Sequence, residues 1–223
     1  MALDVNIETI TVRDHLVSVE NNRTTLNAVE HLFSALYGMD TFGVRIVVNG
    51  NAMPIFDGAS SNYAEVLEHS NVRAFDRIQI TRPIMVNERE SFIQFEPSPD
   101  DVLEISMGLE HAYIGSQQIT IKLDPGTYRR EIAPARTFVY TDETDPRLQN
   151  LPPYGIGITE NKIYAAEPLR FLDEPVRHKV LDLCGDLFIL QKRLCGTLRA
   201  FNTFHRLNHC FVSKVLEEMG NEK

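Results

Sequence analysis

Residues 7–19 alternate loosely between apolar and polar side chains and run into the turn-prone Glu20-Asn21-Asn22-Arg23, which predicts extended structure feeding a loop. The period then changes. Leu26, Val29, Leu32, Phe33 and Leu36 recur at helical spacing, with Thr24 or Thr25 available to cap the start and Gly38 to end it. This places Glu30 and His31 in the middle of the predicted helix. Residues 44–50 read as a strand with a turn, residues 54–58 as a second turn, and residues 61–68 as another helix, so the first part is predicted as strand, helix, strand, helix.

Residues 78–86, 91–96, 103–109 and 118–123 read as successive strands, each closed by Pro, Gly, Asn or Asp. An acidic, proline-bearing stretch from 141 to 153 disfavours a continuous helix and reads as a loop. A short strand is expected around 162–165. A long helix is expected over 174–194, with Val176, Val180, Leu183, Leu187 and Leu190 on its buried side, and another over 203–219. The pattern is that of an α+β protein. Its expected division is an N-terminal domain over residues 1–72 and a C-terminal domain over 73–223.

Composition narrows the reading. A chain of 223 residues with 43% hydrophobic content can bury a substantial core. A net charge of −9 argues against a general nucleic-acid binder, whose affinity rests on neutralising phosphates. The three cysteines, Cys184, Cys195 and Cys210, form no Cys-x-x-Cys pair and no even framework, which favours a reducing compartment. The first residues carry acids where a signal peptide needs a basic start, and no stretch approaches the roughly 20 apolar residues that cross a bilayer. The expectation is a soluble, cytoplasmic protein without a membrane span.

Candidate chemistry lies in two helical segments. His178 and Asp182 are four residues apart and so share one helix face, while Glu30-His31 supplies a second imidazole and another carboxylate. Two imidazoles and a carboxylate form a donor set that zinc accepts, with a fourth position left for water. Taken alone, a His and an Asp at this spacing are more often a solvated pair or a helix cap than a metal site.

Ordered motifs add to this. Ala28-Val29-Glu30-His31-Leu32-Phe33-Ser34-Ala35-Leu36, Met53-Pro54-Ile55-Phe56-Asp57-Gly58, Ala135-Arg136-Thr137-Phe138 and Asp173-Glu174-Pro175-Val176-Arg177-His178-Lys179-Val180-Leu181-Asp182 follow one another along the chain. Gly185-Asp186-Leu187-Phe188 and Phe204-His205-Arg206-Leu207-Asn208 complete the series. In these the chain resembles the zinc-dependent UDP-3-O-acyl-N-acetylglucosamine deacetylases (LpxC family), over nearly its whole length. The resemblance implies removal of the N-acetyl group from an acylated UDP-sugar in lipid A synthesis. It also implies two similar sheet-plus-helices domains packed as a sandwich, with the metal site between them.

Carried over residue by residue, the resemblance implies His31, His178 and Asp182 as ligands of Zn2+, with Fe2+ able to share the same set. Glu30 becomes the general base, His205 the acid, and Asp186 the carboxylate that orients and charges His205. Thr137 is expected to help hold the oxyanion. Lys179, Phe138 and His111 are expected to contact substrate, Lys179 having a solvated helix lysine as its alternative. His15 and His69 are read as surface residues, and His209 as an extension of the His205 face.

The sequence departs from the family pattern in two places. The first strands expected of the N-terminal domain have no counterpart, so that domain is expected to be reduced, completed by a partner chain, or self-associating through open sheet edges. The insert at about 139–168, which in the family receives an acyl chain, is short and acidic and carries Pro146, Pro152 and Pro153. The primary reading is therefore a zinc amidohydrolase acting on an acylated UDP-amino-sugar or a related N-acetyl sugar. The alternative is a non-catalytic, zinc-containing binding protein of the same descent.

Overall fold

A computed structural model describes residues 5–13, 16–68, 74–146, 148 and 154–221. Strands β1 (Ile10–Arg13), β2 (Leu16–Asn21) and β3 (Thr24–Asn27) form an antiparallel sheet in that order. Helices α1 (Glu30–Gly38) and α2 (Ser61–Glu68) follow. The largest sheet has the order β5 (Ile84–Glu88), β6 (Ser91–Glu96), β12 (Arg193–Phe201), β7 (Leu103–His111), β8 (Gly115–Leu123), and β4 (Arg77–Gln79) pairs with the start of β12. A short helix α3 (Pro125–Thr127), capped by the Asp124 carboxylate, continues into a π-turn over Tyr128–Ile132. A third sheet joins β9 (Phe138–Tyr140), β10 (Ile156–Ile158) and β11 (Ile163–Tyr164). Helix α4 (Glu174–Leu187) precedes β12, and α5 (His205–Asn221) follows it. The α+β class stands.

Alternation explains the large sheet. Leu103, Ile105, Met107 and Leu109 of β7 all point inward, and the opposite face of that strand is less buried. Ile93, Phe95, Leu198 and Ala200 continue this apolar layer, against which α5 lays Phe211, Val212 and Val215. Gly196 marks the point where β12 leaves β4 and joins β7. Its φ is +143°, and a Cβ there would stand 2.5 Å from the Phe95 ring, so only glycine serves.

Four sequence expectations are corrected. Helix α1 begins at Glu30, because Asn22-Arg23 closes a hairpin and 24–27 pair with 18–21 as β3. Ala28 then turns at φ +58°, and Glu30 and His31 occupy the first turn of the helix, not its middle. Residues 44–48 alternate like a strand but have no ladder partner among the described residues, and Val47 is 88% exposed. The expected strand over 78–86 is broken before Pro83 into β4 and β5. Finally, the helix expected to reach residue 194 ends earlier. After Leu187 it tightens into a 3₁₀ turn and stops at left-handed Gln191, and the apolar residues beyond form the central strand β12. No described helix is long and apolar enough to cross a membrane.

Candidate active site

Helices α1 and α4 pack closely because Gly185 removes a side chain at their crossing, where a Cβ would lie 2.6 Å from the Glu30 carbonyl oxygen. Ser60 Oγ, just before α2, donates to the His31 carbonyl at 2.9 Å and ties down the first turn of α1. His31 thereby meets His178 edge to face, with ring centroids 5.3 Å apart. One ligand atom from each of His31, His178 and Asp182 lies within 4.8 Å of the others, and all three residues are buried.

The donor chemistry of this cluster fits a cation. His178 Nδ1 lies 3.0 Å from the Ala135 carbonyl oxygen, which can only accept, so Nδ1 carries a proton. In the neutral ring, Nε2 then presents a lone pair 3.3 Å from Asp182 Oδ1. Two acceptors at that distance repel unless a positive charge, a ring proton or a cation, stands between them. Burial opposes the charge of Asp182, but His178 and Lys179 outweigh it and hold the carboxyl well below the usual carboxylate range. Lys179 Nζ occupies the other oxygen, Oδ2, at 3.1 Å. Burial, with His178 nearby, pushes His31 down to about 3, so its ring is neutral.

A cavity of about 510 Å³ opens over the cluster. Glu30, Thr137, Phe138, Lys179 and His205 line it with the three candidate ligands, and Val12, Phe204, Arg206 and His209 complete the wall. Glu30 accepts from the Val17 N–H at 3.3 Å. Burial pushes its carboxyl up to about 7, the hydrogen bond to its own backbone, His205 and Val17 only partly opposing the rise.

His205 sits on the first turn of α5 with Nδ1 2.8 Å from Asp186 Oδ2. Burial disfavours the charged ring, yet the charge and hydrogen bond of Asp186, with Asp182 behind them, lift His205 to about 9. The imidazolium therefore prevails at neutral pH. Asp186 is itself buried; burial opposes its charge, and His205 and His209 together hold its pKa below the ordinary value.

Thr137 is held by the turn before it. Its N–H donates to the Gly58 carbonyl at 2.7 Å, and its carbonyl accepts from the Ile156 N–H at 2.8 Å. Gly58 has φ +86°, and a Cβ there would meet the Gly155 nitrogen at 2.9 Å and the Thr137 methyl at 3.0 Å. Phe138 packs edge to face on His178 with centroids 6.1 Å apart, and Lys179 Nζ lies 5.3 Å from its ring centre.

His111 does not line this cavity. It stacks on Tyr140 at 3.5 Å and 8°, and Tyr140 in turn meets Phe138, so an aromatic row runs from the end of β7 toward the site. His15 and His69 fall outside the described residues.

Some contributors carried no role in the sequence reading. Arg136, 2% exposed, grips Glu174 through Nε at 2.8 Å and Nη2 at 3.1 Å, tying the segment that carries Thr137 into β9 to the start of α4. Arg170 links the same carboxylate, through its backbone N–H, to Asp57, through Nη2 at 2.6 Å. His209 and Asn208 both reach Asp186. The motif residues Asp57, Arg136 and Glu174 were visible in the sequence, but only their contacts show that they position the site.

The family model described as UDP-3-O-acyl N-acetylglycosamine deacetylase matches residues 2–217. A UDP-3-O-acyl-N-acetylglucosamine deacetylase of Campylobacter jejuni subsp. doylei is 34% identical over 210 residues, covering 89% of this chain and 71% of that protein. A protein of the same name from Campylobacter hominis is 32% identical over 213 residues, covering 91% and 72%. With the match running through every segment that builds the cavity, the chain belongs to the UDP-3-O-acyl N-acetylglycosamine deacetylase family.

Proposed function

We propose that this protein is a zinc-dependent deacetylase that removes the N-acetyl group from an acylated UDP-N-acetylglucosamine, the reaction named for its relatives. One observation carries the reading. A buried His31/His178/Asp182 donor set, a carboxylate of raised pKa and an imidazolium held by a carboxylate share a single cavity. A protein holding a metal only for structure has no use for the last two.

His31, His178 and Asp182 would hold a divalent cation, which would supply polarisation of an amide carbonyl and a more acidic water. The protein's own groups do the rest. Glu30, its carboxyl near neutrality, takes a proton from the attacking water. Thr137, fixed by Gly58 and Ile156, supplies a donor to the developing oxyanion. His205 protonates the departing amine, which otherwise leaves poorly, and Asp186 maintains the proton on the ring until then. Lys179 and Phe138 face the substrate side of the same cavity, and His111 stands at the far end of the aromatic row.

Acetate release from UDP-3-O-acyl-N-acetylglucosamine by zinc-loaded protein tests the reading, with the unacylated sugar and Glu30→Gln in parallel. Turnover of the acylated sugar that depends on Glu30 supports it. Turnover of the unacylated sugar alone moves the substrate to another N-acetyl sugar, and no Glu30-dependent turnover of either overturns the proposal.

A further inference from the structure

Asp186 serves more than one imidazole. Oδ2 accepts from His205 Nδ1 and from Asn208 Nδ2, each at 2.8 Å, and Oδ1 receives His209 Nε2, also at 2.8 Å. A carboxylate has no proton to give, so His209 Nε2 carries the hydrogen of that contact. Asp186 is 1% exposed, which leaves water little access to Oδ1. Among the described residues, His209 is the only hydrogen-bond partner of Oδ1. The two histidines stand four residues apart on α5 and therefore share a face, and His209 lines the cavity wall beside His205.

We propose that His209 is a positioning residue for the reaction: by donating to Oδ1 it fixes the Asp186 carboxylate with Oδ2 on His205 and draws part of the carboxylate charge away from the acid. The inference rests on the reading of His205 as that acid. Its physical basis is the sharing of one negative charge between two donors. A hydrogen bond to an ionised carboxylate stabilises the charge and weakens its pull on a second partner. Without His209, the charge of Asp186 falls on His205 and Asn208 alone, His205 holds its proton more tightly, and it becomes a poorer donor to the leaving amine.

The surroundings of His205 leave this role to α5. Helix α4 faces it with Asp186, Asp182 and Lys179, and α1 with Glu30 and His31. Arg206, on the same helix, is paired with Glu88 of β5. Strand β6 meets α5 through Phe95 on Phe211, an apolar contact. None of these other groups bonds to Oδ1 of Asp186.

The experiment is a titration of the His205 ring by NMR in the zinc-loaded full chain without substrate, beside the pH dependence of kcat. His209→Leu removes the donor, and His209→Gln keeps one. His209→Met takes the place of the leucine variant should that fail to fold. The expected result is a rise of about one pH unit in the His205 midpoint for the leucine variant. The alkaline limb of kcat should move up with it, kcat at neutral pH should fall roughly threefold, KM should stay unchanged, and the glutamine variant should keep its midpoint near that of the parent. A midpoint that stays or falls in the donor-free variant overturns the inference, as does an equal shift in the glutamine variant. The ring titration needs no turnover, so it is decided independently of which substrate the protein deacetylates.

Discussion

The backbone carbonyl of Glu30 and the α-carbon of Gly185 face each other so closely that a methyl group on Gly185 would stand 2.6 Å from the oxygen. Glu30 precedes one candidate ligand, His31, while Gly185 lies on the helix that carries the other two. Gly185→Ala must separate α1 from α4 and widen the His31–His178 spacing. Overpacking of this kind costs about 1–3 kcal/mol. The expected outcome is a lower melting temperature together with zinc affinity reduced at least about tenfold, as losses in the shell supporting a metal site are. Chelator competition measures the second quantity, and parental zinc affinity would show that the crossing does not set the ligand spacing.

Glu30→Gln removes the carboxylate that accepts the proton but leaves the donor set of His31, His178 and Asp182. Zinc content should remain at one equivalent while kcat drops by at least about a hundredfold. Full activity in this variant would take Glu30 out of the reaction.

His178→Ala should behave in the opposite way. Its ring contributes Nε2 to the cluster and anchors itself to Ala135 through Nδ1. The purified variant should lose its metal, as read by elemental analysis. One retained equivalent of zinc would refute the assignment.

Asp186→Asn tests the acid. The charge and hydrogen bond of Asp186 raise His205 to about 9 against the cost of burial, so neutralising the carboxylate must lower the ring pKa. The protonated ring is the active form, and activity is lost as pH rises through its pKa. The alkaline limb should therefore move to lower pH in the variant, with a fall in kcat at neutral pH. A limb that keeps its place would assign it to some other group.

The Arg136–Glu174 pair predicts an acid sensitivity of the fold. Burial alone would raise Glu174, but the Arg136 hydrogen bonds hold it below the ordinary carboxylate value. A folded pKa below the unfolded one gives stability that is full above the unfolded value, near pH 4.5, and is lost as pH falls toward the folded value. Arg136→Met leaves the buried carboxylate unpaired and should cost about 3–5 kcal/mol. Adding Glu174→Gln should restore much of that, as denaturant melts at neutral pH will show.

Much of the site was legible because its residues sit in short motifs on strongly periodic helices. His178, Asp182 and Asp186 repeat every fourth position of α4, and period alone puts them on one face. The beginning of α1 was misplaced because Thr24 and Thr25 suit a helix cap and Leu26 falls at helical spacing, and only pairing with β2 makes residues 24–27 a strand. Strand β12 was hidden in the same way. Leu194, Leu198 and Ala200 continue the apolar run of α4, and what ends the helix is the left-handed turn at Gln191, a residue type with no strong preference for it. Arg136 and Glu174 are charged residues that composition places at the surface, and their mutual burial depends on segments 38 positions apart meeting. Contacts of that range leave no local trace.

The grip of Arg136 on Glu174 also has a meaning for the lineage of this chain. Glu174 fixes the starting point of α4, and every functional side chain on that helix is counted from there. At 3.6 residues per turn, one inserted or deleted residue between Glu174 and His178 swings the remainder by about 100°, carrying His178 and Asp182 off the cavity and Asp186 off His205 together. Point changes on the outer face of the helix can accumulate, whereas a change in its length cannot, so among functional relatives the spacing along this segment should stay fixed even where the residues between the fixed points drift.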